Sequence, residues 1–389
     1  MAQATDLRSP AVRLGDVRVI ALISAAHFVS HYYILLLPPL FAFIRADYGV
    51  SYTALGLAIA VFNVVSAAFQ VPTGFLIDRV GARLILVAGL TLGAAAVLAM
   101  GLISSFSVLV VMMALNGLAN TVYHPANYSI LSDVVSHKRI GQAFSVHTFA
   151  GMLGTAVAPA SLLVLQGLIG WRGALVVAAV MGFAVAGLLA VQDERLFVRA
   201  LPVTIPRPAH AAAAPDPGWR LLLSGPIVQN LLFFVLLAIT SGGVSNYSVV
   251  ALAALYDTPI AVANTALSSF LLMSALGVLM GGLLIGRTGR HGVVASLGLF
   301  ATGLAVLLVG AVDPGAVLLI LAMGAGGLAN GIIMPSRDMI VRAVTPPGSF
   351  GKVFGFVTTG FNIGGIVAPP IYGALMDHGH PRAVFLVIG

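Results

Sequence analysis

ALGLAIAVFNVVSAAFQVPTGFLIDRVGARLILVAGLTLGAAAVLAMGL, residues 54–102, consists of two apolar runs on either side of one charged turn. Its only charges are Asp78, Arg79 and Arg83. A helix needs about 20 mostly apolar residues to cross a bilayer, and each flank is long enough. Hydrocarbon offers no partner to a backbone N–H or C=O, so each flank must satisfy its own hydrogen bonds as a helix. The stretch therefore reads as two membrane-spanning helices joined by a short polar loop.

The same pattern extends in both directions. Hydrophobic residues make up 59% of the 389 and charged residues only 8%, where a soluble domain carries about 25%. Runs are expected at 17–44, 51–77, 84–104, 106–133, 140–169, 171–191, 221–254, 259–285, 293–312, 315–343 and 350–376. A twelfth starts near Arg382, and the residues up to Gly389 are too few to cross, so the sequence reads as a fragment. A net charge of +7 could suit nucleic acid, but the basic residues lie in short loops. With the N-terminus cytoplasmic, all of the 19 except Arg45, Arg172 and Arg382 fall inside, as expected for loops retained by Lys and Arg. There is no cysteine, which excludes disulfides and thiolate metal sites.

The chain repeats itself. Gly117–Pro159 aligns without gaps to Gly327–Pro369: GLAN at 117–120 recurs at 327–330, Pro125 matches Pro335, Gly141 matches Gly351, and VAP at 157–159 recurs at 367–369. VSHY at 29–32 is echoed by VSNY at 244–247. Parallel repeats of this kind suit carriers that rock two halves about a central site. The expected organisation is a six-helix half over 1–191, a Pro- and Ala-rich cytoplasmic linker over 192–219, and a second half over 220–389. The fold class is all-α integral membrane, a bundle of two six-helix halves related by a parallel pseudo-repeat.

GFLIDRVGAR at 74–83 resembles the signature loop of the major facilitator superfamily, with Gly74, Leu76, Asp78, Arg79, Gly81 and Arg83 in place and Ala82 at one basic position. GLLIGRTGRH at 282–291 is a weaker copy, with Gly286 where the Asp would stand. The resemblance implies that Gly74 lets helices approach closely and that Asp78, Arg79, Gly81 and Arg83 belong to a conformational gate. Asp78 would face the start of span 11, whose free N–H groups favour a negative charge. His27 with YHPAN at 123–127 and GQAFSVHTFAGMLG at 141–154 is similar to fosmidomycin-resistance efflux proteins. His31 and Ala126 stand where that group tends to carry acidic residues.

Spans 1, 4, 7 and 10 line the cavity in that family, and this chain puts polar residues there at helical spacing. Asn116, Asn120, His124 and Asn127 share one face of span 4, and Asn330 and Arg337 share the matching face of span 10. The expected substrate cavity is His31, Asn120, His124, Asn246, Tyr247, Asn330 and Arg337, since polar groups are costly against lipid. Asn63, Ser66 and Gln70 form a stripe on span 2 that reads as interhelical bonding before function. His27, His31, His124 and His147 are the candidates for proton coupling, because an imidazole titrates near neutral pH. His27 and His31 are also an i,i+4 pair that could hold a transition metal. No carboxylate or thiolate accompanies the histidines, so the sequence favours protons and no metal is expected. Asp338 is expected to pair with Arg342 four residues on, as part of the gate.

No nucleophile arrangement or phosphate-binding loop is present, so neither an enzyme nor an ATP-driven pump is expected, and no cofactor. The expected activity is secondary transport of a small organic molecule by alternating access, as a proton-coupled exporter. An organic-anion importer or uniporter, a lipid flippase and a membrane sensor are the alternatives. A monomer in a prokaryotic inner membrane is expected.

Overall fold

The computed structural model describes residues 10–136, 139–197, 218–285, 287–346 and 349–389. The expected linker over 192–219 lies for the most part outside them.

The apolar runs form helices with few surprises. Span 1 is broken in two: α1 is Pro10–Ile34, a 3-10 turn covers Pro38–Leu40, and α2 is Phe41–Tyr48. The break follows from Pro38 and Pro39, which lack an N–H and cannot continue a helix. Ser51 caps α3 (Tyr52–Val80), its side chain accepting the Ala54 N–H at 3.1 Å. Gly81, with φ 103, turns the chain into α4 (Ala82–Leu102). Ser105 caps α5 (Phe106–Val134) in the same manner as Ser51. Next is α6 (Ile140–Ala190), 51 residues in all. At about 1.5 Å per residue this is far longer than a bilayer core of about 30 Å. It makes two crossings, divided at Gly170, where φ is 75, as the sequence pattern placed them. The second half holds α7 (Gly225–Tyr256), α8 (Ile260–Ile285), α9 (His291–Ala311), α10 (Gly315–Ala343), α11 (Phe350–Asp377) and α12 (Pro381–Ile388).

Side-chain contacts show which turns share a face. Arg172 reaches Asp47 and Ser104, and Asp377 reaches Tyr52 and Thr53. On the other face Arg83 meets the end of α6 and Ser136 meets Asp16. The face carrying Arg83 is the motif face, and the other is the opposite face.

Within the first half α3 packs on α5 and α1 on α6; within the second α8 packs on α10 and α7 on α11. The repeat is visible in detail. A Cβ at Gly117 would overlap the Phe62 carbonyl oxygen, and one at Gly327 would overlap that of Phe270. Asn120 donates to Ser66 Oγ at 3.0 Å and Asn330 donates to Ser274 Oγ at 3.2 Å. Both halves therefore join corresponding helices by a glycine contact and one Asn–Ser bond, a familiar solution where lipid offers no hydrophobic drive for helix association. The halves meet along α3 with α11 and α6 with α8.

Candidate functional site

The α3–α11 seam is tight toward the opposite face. Asp377 accepts the Tyr52 and Thr53 backbone N–H groups, each at 2.8 Å, and the Thr53 hydroxyl at 2.6 Å. Those are the first two N–H groups of α3, which the helix itself leaves unpaired. Tyr247 donates to the Tyr52 carbonyl at 3.3 Å. Gly56 lies against the Pro369 carbonyl with no room for a side chain, and Gly373 against Thr53. Asn63 donates across the seam to the Gly365 carbonyl at 3.0 Å.

The motif face differs. Asp78 and Arg79 are exposed and make no hydrogen bond or ion pair among the described residues. Nothing lies within 4 Å of a Cβ placed at Gly74. In this conformation the seam is not closed around these residues, and neither the close approach at Gly74 nor a partner for Asp78 is seen.

A cavity of about 200 Å³ lies on the seam, with Asn63, Thr155, Ser241, Asn246 and Gly365 in its wall. Both halves contribute to it. A larger recess of about 830 Å³, walled by Asp78, Arg83, Ser129, Asp133 and Phe197, belongs to the first half alone. Of the expected cavity residues, Asn246 lines the seam cavity directly. Tyr247 is buried against Phe41 and Tyr372 and seals the opposite face. Asn120 is engaged by Ser66, which itself donates to the Gly117 carbonyl at 2.9 Å. Asn330 and Arg337 wall a smaller recess between α7, α10 and α11 with Phe361. Arg337 lies over Phe234 at 4.7 Å and Phe361 at 5.3 Å, as a guanidinium prefers. Its partner is Asp338, at 2.8 Å. The expected Asp338–Arg342 pair does not form: the aromatic sandwich holds Arg337 beside the carboxylate, and Arg342 is exposed one turn further on.

The histidines come together. His27 and His31 on α1, His124 on α5 and His147 on α6 form one cluster, with His27–His31 ring centroids 4.5 Å apart and His27–His124 centroids 5.1 Å apart. His27 and His147 stack at 3.8 Å. Gly151 makes this possible, since a Cβ there would lie 2.5 Å from His27 Cε1 and 3.0 Å from His31 Cδ2. His31 Nδ1 is 3.1 Å from Thr155 Oγ1, and Thr155 lines the seam cavity. The cluster thus adjoins the cavity wall.

The sequence profile of the Major Facilitator Superfamily matches residues 23–260 and 231–389. The chain belongs to the major facilitator superfamily. It is 22% identical over 381 residues to the fosmidomycin resistance protein of Escherichia coli (strain K12), covering 95% of this chain and 89% of that one. It is 28% identical over 143 residues to the probable L-galactonate transporter of the same strain, over 37% of this chain and only 32% of that protein. The fold matches a bacterial homologue of the human lysosomal transporter Spinster with a TM-score of 0.76 at 16% identity, over 95% of this chain and 84% of that one.

Within this major facilitator chain one signature residue has a definite structural task. Arg83 donates to the carbonyls of Leu189, Ala190 and Gln192 and lies over the Phe197 ring at 5.0 Å. It satisfies the free carbonyl end of α6, where a cation is favoured. Sequence reasoning missed Asp377, Thr155 and Gly151. Asp377 reads as one more acidic residue at a helix end, and nothing local ties it to Tyr52, 325 positions away. The spacing of His147 and Gly151, four apart in one helix, is the one signal that could have marked Gly151.

Proposed function

We propose that this protein is a secondary active transporter that carries a small organic molecule by alternating access, working as an exporter in exchange for protons. The observation that carries the reading is the seam cavity: it is small, built from both halves and closed by contacts toward one face, while Gly74, Asp78 and Arg79 stay unengaged on the other. The motif face is cytoplasmic, following the bias of Lys and Arg, and the conformation is then the one that loads substrate from the cytoplasm in a prokaryotic inner membrane. Resistance conferred by the fosmidomycin-type relative fits export. His31 touches the cavity wall through Thr155, a contact that supports a role for the histidines in coupling protons to the substrate. Asp78, Arg79 and Gly74 would engage when the cytoplasmic side closes.

A second reading, an organic-anion importer or uniporter, draws on Arg337 and on the partial likeness to a galactonate transporter. Arg337 walls a recess that shares Ser241 with the seam cavity, and its charge is one that an anionic substrate could share with Asp338.

Proteoliposomes with an internal pH dye, given a pH gradient and a panel of antimicrobials and organic acids, separate the two. Substrate-dependent proton flux supports the exporter. Solute uptake without proton flux, lost in Arg337→Ala, supports the anion carrier. For an anionic substrate, Arg337→Ala lowers transport by about tenfold or more, the loss expected for a charged hydrogen bond of about 1.5–3 kcal/mol. Arg337→Lys recovers little of it, because an ammonium has neither the planar fork nor the stacking surface that Phe234 and Phe361 accept.

A further inference from the structure

We propose that the histidine cluster of α1, α5 and α6 is a binding site for a divalent transition-metal ion of the zinc, cobalt and nickel class. The inference goes beyond the carrier reading and does not depend on it.

The donor atoms are already gathered. One ring nitrogen each from His27, His124 and His147 lies within 4.8 Å of the others. Tetrahedral zinc with Zn–N bonds of about 2.0–2.1 Å needs nitrogens about 3.4 Å apart, so the rings close by roughly an ångström. His27 donates from Nδ1 to the His147 carbonyl at 2.7 Å. That bond fixes the tautomer and leaves Nε2 with a free lone pair, the arrangement in which metal-binding imidazoles are commonly held. His27 Nε2 has no partner, and neither ring nitrogen of His147 has one, although His27 is 3% exposed and His147 0%. Buried polar nitrogens are normally satisfied; here they are left unpartnered within 4.8 Å of one another. His147 stacks on His27 with rings 13° from parallel, so it must swing for the lone pairs to converge, away from the neighbouring Ile23 carbonyl. His31 Nε2 is also unpartnered but stands outside the group of three, so the fourth position is open to water or to a shift of that ring.

Neutral imidazoles select borderline cations over magnesium or calcium. His124 is exposed, which provides the entry path. The sequence favoured protons over a metal because it showed no carboxylate or thiolate; the fold instead gathers three nitrogens from three helices. Protons and the metal compete for the same lone pairs, so the two occupants exclude one another.

The test uses the full chain in detergent without a histidine tag, with ZnCl2 and CoCl2 as probes in equilibrium dialysis. The absence of cysteine removes thiolate binding. The expected result is one tight Zn2+ per chain, and visible Co2+ absorption of the four-coordinate kind. His124→Ala, an exposed position that the fold tolerates, weakens binding by about 10–100-fold or more. Gly151→Ala weakens it without removing a ligand, by displacing the His27 and His31 rings. His378→Ala, at an exposed position on the opposite face, leaves it unchanged. Zn2+ affinity that is the same in wild type, His124→Ala and His147→Ala would overturn the proposal, as would wild type that elutes as a folded species and binds no Zn2+. Neither outcome bears on proton flux in liposomes, and a chain inactive in liposomes would leave the zinc result standing.

Discussion

Asp377→Ala is expected to release the opposite face and shift the protein toward the state open on that side by about tenfold. The carboxylate holds the first two N–H groups and one hydroxyl of α3 from the other half of the molecule. Ser51 still caps α3 in the variant, so the helix itself survives. What is lost is a cross-seam interaction present only while this face is shut. Losing a carboxylate that caps a helix N-terminus costs about 0.5–2 kcal/mol, and about 1.4 kcal/mol is tenfold in an equilibrium. The exposure of Asp377 argues for the middle of that range. The absence of native cysteine makes the measurement direct: a cysteine at Asn246 in the seam cavity is labelled by a membrane-impermeant maleimide from outside. The labelling rate should rise about tenfold in Asp377→Ala and by less in Asp377→Asn, which keeps one acceptor. An unchanged rate would mean that the carboxylate does not hold the seam.

Gly327→Val should be the most damaging single substitution for stability. A Cβ at Gly327 overlaps the Phe270 carbonyl, and one at Gly331 overlaps that of Ser274, so α8 and α10 touch backbone to backbone along a glycine face. A side chain there separates the helices and breaks the buried Asn330–Ser274 bond. Overpacking costs about 1–3 kcal/mol, and a polar pair left unmatched adds about 1–3 kcal/mol. A fall in apparent Tm of about 5–10 °C in detergent follows on the scale of soluble domains. Gly117→Val, its counterpart in the first half, should behave alike. Gly74→Val is the control: nothing lies within 4 Å of its Cβ, and its Tm should stay near that of the wild type. Equal losses at Gly74 and Gly327 would refute the close-packing account.

The membrane helices were legible because one constraint dominates them. Backbone groups in lipid must be satisfied inside each segment, so hydropathy alone gave the division at Gly170, whereas the break at Pro38-Pro39 lies inside the single run expected over 17–44 and follows from the missing proline N–H groups. The repeat was legible for the same reason, since GLAN marks a packing surface that both halves need. Partners across the fold were not legible. Asn120 and Asn330 look alike as cavity residues and as interhelical bonds, and only the position of Ser66 and Ser274 reveals that they bond. The Asp338–Arg342 pair was a sound inference for an isolated helix and failed because Phe234 and Phe361, on other helices, hold Arg337 nearer. His27, His124 and His147 could be set at one depth from helix rise, but not in contact, because contact depends on how α1, α5 and α6 turn about their axes. Gly151 leaves the room that the His27 and His31 rings occupy, and those rings belong to another helix.

The central claim is that the two halves rock about the seam, closing one face as the other opens. Pulsed electron-spin distance measurements in liposomes test it with two label pairs at exposed helix ends. One pair, Leu102→Cys and Val312→Cys, spans the opposite face. The other, Val80→Cys and Val293→Cys, spans the motif face. On imposing a pH gradient with a transported solute, the account predicts reciprocal shifts: the Leu102–Val312 distance lengthens while the Val80–Val293 distance shortens. Both distances changing in the same sense, or neither changing while solute moves, would contradict it.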